Sequence, residues 1–123
     1  MKDAVLRKLR GITTLTELSL VCCTKVTDVG LRELRGLTQI TKLYLDHCFW
    51  VTDVGLRELR SLTQLNKLDL IRCFNSDGRL AATPHVPLLS ALTRLYLSNN
   101  PTTEVGRDAL ETALPALTIG WWY

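Results

Sequence analysis

The feature that most restricts this chain is an internal period of 25 residues. Cys23, Cys48 and Cys73 keep that step (48 − 23 and 73 − 48), as do Leu18, Leu43 and Leu68, and Leu20, Leu45 and Leu70. Leu15, Ile40 and Leu65 follow it too, and segment 26–35 recurs as segment 51–60. Asp3, Leu6, Leu9 and Leu15 stand one period before Asp28, Leu31, Leu34 and Ile40. A period of this length marks a stacked array, in which each unit buries its apolar face only against its neighbours. Further on the register loosens. Leu65, Leu68 and Leu70 map to Leu92, Leu95 and Leu97 after a step of 27 (92 − 65), and Cys73 maps to Asn100. Leu114, Leu117 and Ile119 are expected to repeat the trio after a step of 22 (114 − 92). The expected organisation is a single domain, 1–123. It has a leading helix at 3–11, repeats at about 15–39, 40–64, 65–91 and 92–113, and a final strand at 114–123.

Each unit has two halves. Leu-x-x-Leu-x-Leu ends with period-two alternation, which puts two leucines on one face of a strand. Thr27-Asp28 then supplies helix N-cap chemistry. Leu31, Leu34 and Leu37 form an apolar stripe at spacing three on a short helix. Gly11 and Gly36 are expected to close their helices in the left-handed conformation. Strands joined by helical crossovers must run parallel, so the pattern predicts an α/β array. In the third unit Ser76-Asp77-Gly78 echoes the helix start, but Pro84 and Pro87 forbid a regular helix after it. The extra residues there are expected to bulge on the outer side.

The pattern Leu43-x-Leu45-x-x-Cys48-x-x-Val51-Thr52-Asp53-x-Gly55-Leu56 resembles the leucine-rich repeats, closest to the cysteine-containing subclass of F-box substrate receptors. The last unit, Leu95-x-Leu97-Ser98-Asn99-Asn100 with its helix at 105–110, is more like the ribonuclease-inhibitor subclass. The resemblance implies a solenoid in a short right-handed arc, with parallel strands on the concave face and helices on the convex face. It also implies a structural ladder of Cys23, Cys48, Cys73 and Asn100, turned inward to bond loop backbone of neighbouring repeats. For function the resemblance is weak, because one such fold serves many roles.

Composition mainly excludes. A 46% hydrophobic, 22% charged chain of 123 residues is neither disordered nor collagenous. No apolar run reaches the ~18 residues of a membrane span. The N-terminal residues lack the continuous apolar segment of a signal peptide. A net charge of +3 is too small to imply nucleic acid. Four cysteines are too few and too oddly spaced for a secreted disulfide framework. The expectation is an intracellular, most simply cytoplasmic, protein.

No enzyme signature is present: there is no phosphate-binding glycine loop, no Gly-x-Ser-x-Gly and no His-Glu-x-x-His. Three stacked thiols could hold a metal, but no histidine or fourth thiolate has ligand spacing, so neither metal nor cofactor is expected. Cys22 falls at the strand's exit and is expected to be exposed. His47 adjoins Asp46 and Cys48, yet in a strand His47 faces out while Cys48 turns in, which separates any Cys–His pair. His85 falls in a loop.

What remains is surface. With Leu18 and Leu20 inward, their odd-numbered neighbours line the other face of the sheet. One column reads Glu17, Lys42, Lys67, Arg94, and the next Ser19, Tyr44, Asp69, Tyr96. A third reads Val21, Asp46, Ile71, Ser98, and a fourth Cys22, His47, Arg72, Asn99. Solenoids use such concave faces for binding, and Tyr and Arg are frequent interface anchors. The candidate protein-binding residues are therefore Lys42, Tyr44, Asp46, His47, Lys67, Asp69, Arg72, Arg94, Tyr96 and Asn99. On the other side, Arg7, Arg10, Arg32, Arg35, Arg57 and Arg60 should form basic stripes on a solvated convex face. The expected function is a non-enzymatic protein-interaction module or assembly subunit. Alternatives are the substrate-recognition part of a ubiquitin ligase, or a regulator of a GTPase or nuclease. Terminal repeats need capping. Trp121, Trp122 and Tyr123 can cover the last strand or form a sticky end. The N-terminal edge, with Leu6 and Leu9 thinly covered, is expected to self-associate or dock on another subunit.

Overall fold

Leucines spaced three apart stay on one face only if the chain turns every three residues; at 3.6 residues per turn the stripe drifts. The computed structural model, which describes residues 2–48, 50–51, 53–70, 91–96, 108, 111–112 and 118–120, follows that requirement. Each outer segment opens as a brief α-helix: α1 (Asp3–Leu6), α2 (Asp28–Arg32) and α3 (Asp53–Glu58). It then tightens into three-residue turns. Leu34, Leu37 and Ile40 donate their amides to the carbonyls of Leu31, Leu34 and Leu37 at 3.0–3.1 Å. 3₁₀ turns at Arg7–Gly11 and Leu59–Ser61 do the same in the flanking units. The leading helix expected at 3–11 is thus α1 plus a 3₁₀ turn.

The inner segments are three-residue strands: β1 (Glu17–Ser19), β2 (Lys42–Tyr44), β3 (Lys67–Asp69), β4 (Arg94–Tyr96) and β5 (Thr118–Gly120). They form one open parallel sheet in sequence order. Leu18, Leu43, Leu68 and Leu95 are in register, so the step of 27 between β3 and β4 is the structural one. The last step differs from expectation. Leu95 pairs with Ile119, a step of 24 (119 − 95) rather than 22. Strand side chains have period two, so a slip of two leaves the same pattern facing inward, and leucine spacing cannot detect it.

Between sheet and helices lies the core. Leu20, Leu45 and Leu70, with Leu43 and Leu68, are fully buried, as are Leu31, Leu34, Leu56 and Leu59 from the outer segments. This is an α/β leucine-rich repeat solenoid, with strands inside the arc and helices outside.

Adjacent repeats are also joined by polar contacts. Asp3 accepts from the amide and hydroxyl of Thr27 at 2.8 and 2.6 Å. Thr27 in turn caps its own helix by accepting from the Val29 amide at 3.2 Å. An aspartate therefore serves the helix start of the following repeat. Gly30 and Gly55 sit where that aspartate passes. A β-carbon on Gly55 would overlap the Asp28 carboxylate and come within 2.9 Å of Leu31 Cδ1. Gly11 and Gly36, by contrast, have open space, and none of the described glycines has a positive φ. The expected left-handed glycine caps are absent because the three-residue turns lead straight into the next segment.

The convex charges also link repeats. Glu33 receives Arg7 and Arg10 of the preceding repeat, and Glu58 receives Arg32 and Arg35. Each glutamate is largely covered, with 10–12% of its side chain exposed. Four of the six arginines expected in basic stripes, Arg7, Arg10, Arg32 and Arg35, are thus engaged in ion pairs that link successive repeats.

Candidate functional site on the concave face

β2, β3 and β4 hold six of the ten expected binding residues on one surface. Lys42, Lys67 and Arg94 share one row, and Tyr44, Asp69 and Tyr96 the next. Neighbouring backbones in such a sheet lie about 4.8 Å apart, so each row is a close-set line of side chains. All are half-buried except Arg94, which is exposed. Lys42 Nζ lies 3.4 Å from Glu17 Oε1. Lys67 extends from its own row toward the next, with its Nζ 5.0 Å from the Tyr44 ring centre and 5.4 Å from that of Tyr96. Both distances suit cation–π attraction. Alternating columns foresaw the two tyrosines flanking Asp69. They did not foresee a lysine amine held between the rings, which depends on the reach of a long side chain.

Asp46 and His47 follow β2, both half-buried. His47 has φ 61°, as has Cys22 one repeat earlier. These residues sit in turns closed by the Cys48 and Cys23 amides on the Leu45 and Leu20 carbonyls, at 3.0 and 3.1 Å. The column of Cys22 and His47 thus has a backbone task, the left-handed turn at the strand's exit. Asparagine tolerates that conformation best among non-glycine residues. Arg72 and Asn99, with Cys73 and Asn100, lie outside the described residues, as do residues 71–90 and the C-terminal aromatics.

The thiols differ according to what precedes them. Cys48 is buried and donates its Sγ–H to the Leu20 carbonyl of the previous repeat at 3.0 Å. Burial, with a smaller contribution from neighbouring Cys23, pushes the Cys48 thiol up to about 12. Cys23 is half-buried and reaches only the Val21 carbonyl of its own turn, at 3.8 Å. Among the described residues no strand lies beyond β1 to offer it a neighbouring carbonyl. Cys22 is exposed. Of Cys22, Cys23 and Cys48, a maleimide should therefore label Cys22 first and Cys48 last, as read by peptide mass mapping of the native protein. Because Cys48 ionises later in the folded state than its ordinary 9.0, its contribution to stability is complete below pH 9. It is lost as pH rises from 9 toward 12, where the unfolded chain has already released the proton. Urea unfolding across that window checks the sign: Cys48→Ala should flatten the decline.

Among the described residues no group of three histidine, cysteine or acidic side chains converges as a metal site. No helix among them is long and apolar enough to cross a membrane.

Comparison with known proteins agrees with the fold. Internalin C2 from Listeria monocytogenes superposes with a TM-score of 0.67 at 27% identity, over 92% of this chain and 44% of its own. A leucine-rich repeat protein of Leptospira interrogans gives 0.59 at 20% identity, over 92% of this chain and 33% of its own. A second Listeria monocytogenes internalin gives 0.56 at 20% identity, over 93% and 36%. These neighbours are leucine-rich repeat proteins, and this chain spans less than half the length of each. No family model and no curated protein sequence matches the chain.

Proposed function

We propose that this chain is a protein-interaction module or assembly subunit whose recognition surface is the concave face centred on Tyr44, Asp69 and Tyr96. The observation that carries the reading is the in-register row of two tyrosines around Asp69, with Lys67 held between the rings. Aromatic side chains that are already ordered lose little freedom on binding, which favours them as anchors. Asp69→Lys and Tyr96→Ala should weaken binding of a partner purified with the protein by about tenfold or more. The melting temperature of each variant, measured alongside, separates lost binding from lost folding, since both side chains are half-buried. Unchanged affinity in titration calorimetry for both variants would remove the concave face from the proposal. Assignment to the cysteine-containing subclass is part of the same reading and is supported by the Cys48–Leu20 contact.

The N-terminal edge is proposed as a contact with a second copy or another subunit. Leu6 is fully buried, so it is not the exposed residue that the sequence pattern implied. The apolar surface there consists of Val5, Ile12 and Val21, each 40–45% exposed, beside the open edge of β1. Val5→Lys with Ile12→Lys should abolish any concentration-dependent association seen by analytical ultracentrifugation. A monomer at every concentration, with no subunit bound at that edge, would count against it.

A further inference from the structure

We infer that the N-terminal face of the array seats an acidic protein surface and refuses a further repeat of its own kind. The inference rests on the reading of that edge as a contact and names the chemistry of the partner. At the first junction three residues receive the preceding repeat. The Thr27 amide and hydroxyl donate to Asp3 at 2.8 and 2.6 Å. Gly30 leaves room for Asp3 and for Leu6, whose Cδ1 lies 3.0 Å from where a β-carbon would stand. Glu33 receives Arg7 and Arg10. The second junction repeats the last two, with Gly55 against Asp28 and Leu31, and Glu58 receiving Arg32 and Arg35. One period earlier the same three positions hold Lys2, Val5 and Lys8. All three receiving residues are exchanged. Asp3, Leu6, Arg7 and Arg10, which face the following repeat, keep the identities of Asp28, Leu31, Arg32 and Arg35.

A repeat built like the others, from this chain or from a copy, would bring its aspartate against the β-branched side chain of Val5. Its two arginines would meet the Lys8 ammonium, and like charges set together work against that occupant. Lys2 makes no side-chain cap on α1, so the threonine's second role is gone as well. The face has a chemistry of its own instead. Lys2, Val5 and Lys8 follow one another at spacing three, and all are exposed. Lys25, paired with Lys2 in a parallel bridge, is exposed too. None of these lysines makes an ion pair among the described residues. The neighbouring acidic groups are engaged: Asp3 with Thr27, Glu33 with Arg7 and Arg10, and Glu17 with Lys42. Cations therefore surround the apolar side chains of Val5, Ile12 and Val21. Two copies placed face to face would set these cations against one another. A nucleic acid would find no aromatic ring among these residues to stack on. An apolar centre rimmed by ammonium groups complements a protein surface whose own apolar centre is rimmed by carboxylates.

Two measurements test it. In the first, a copy of segment 26–50 is fused ahead of residue 1, which preserves the 25-residue step. On the otherwise unchanged chain the added segment should be cut by trypsin as fast as an unfolded peptide and leave the urea midpoint where it was. With Lys2→Thr, Val5→Gly and Lys8→Glu it should become protected and raise the midpoint. A segment equally protected, or equally exposed, in the two fusions would overturn the role given to these three residues. The second uses the full chain and fluorescence anisotropy with three labelled probes: an amphipathic Leu–Glu peptide, the matching Leu–Gln peptide and a single-stranded oligonucleotide. The Leu–Glu peptide should bind several-fold more tightly than either other probe, and less tightly as salt rises. Lys2→Glu with Lys8→Glu should weaken it on the order of tenfold, as expected for charge-assisted contacts. Lys42→Gln and the convex control Arg57→Gln should leave it nearly unchanged, with thermal melts confirming that each variant is folded. Equal binding of the two peptides, tighter binding of the oligonucleotide, or equal losses at Arg57 and at the lysine pair would overturn the inference. If Val5→Ser with Ile12→Ser releases the Leu–Glu peptide but the lysine exchanges do not, the acidic partner is wrong and the edge remains a contact. If neither pair affects it, the reading of the edge fails too.

Discussion

Leu45→Ala should destabilise the protein by about 2–5 kcal/mol, the range for truncating a fully buried leucine. Leu45 is entirely excluded from solvent, as are Leu20 and Leu70, which stand before and after it in the same column. Its amide donates to the Asp69 carbonyl at 2.8 Å, which ties this point of the backbone to the next repeat. The surrounding leucines cannot close over the gap without shifting backbone that is bonded on both sides, so a cavity term adds to the lost transfer energy. In a stacked array each unit is stabilised by its neighbours, so the loss spreads beyond one repeat. Urea titration followed by circular dichroism gives the number. A loss within the ~0.5 kcal/mol typical of surface positions would contradict the packed-column description.

Gly55→Ala should cost about 1–3 kcal/mol, the usual penalty for overfilling a packed site. In an isolated helix the same change would stabilise, because alanine is the better helix former by roughly 1 kcal/mol. Here the new methyl would overlap Asp28 and crowd Leu31 at 2.9 Å. Both belong to the preceding repeat, whose position is fixed by the core. Gly36→Ala supplies the opposite sign. Nothing lies within 4 Å of its β-carbon position and its φ is not positive. Alanine there should therefore stabilise by about 0.4–1 kcal/mol by restricting the unfolded chain. Were Gly36→Ala the more damaging of the two, the close approach of Asp28 to α3 would not be what Gly55 accommodates.

These two glycines show where sequence reasoning stops. By itself the sequence determined the array: its 25-residue step, the parallel strands, the inward leucines and the line of Tyr44, Asp69 and Tyr96. Those properties follow from periodicities of two and three, which local stereochemistry imposes on any chain. Only the tertiary structure decided what depends on distances between repeats. It distinguished Gly55, against Asp28, from Gly36, in open space, although both end or interrupt similar helical segments. It paired Arg7 and Arg10 with Glu33, where the sequence showed a run of basic residues. It set the β4–β5 step at 24, because a period-two pattern is blind to a slip of two. Above all it placed the Lys67 amine between two tyrosines of the adjoining row. A strand fixes where a side chain begins, but a lysine's end is chosen by its surroundings, and those exist only once the repeats have stacked.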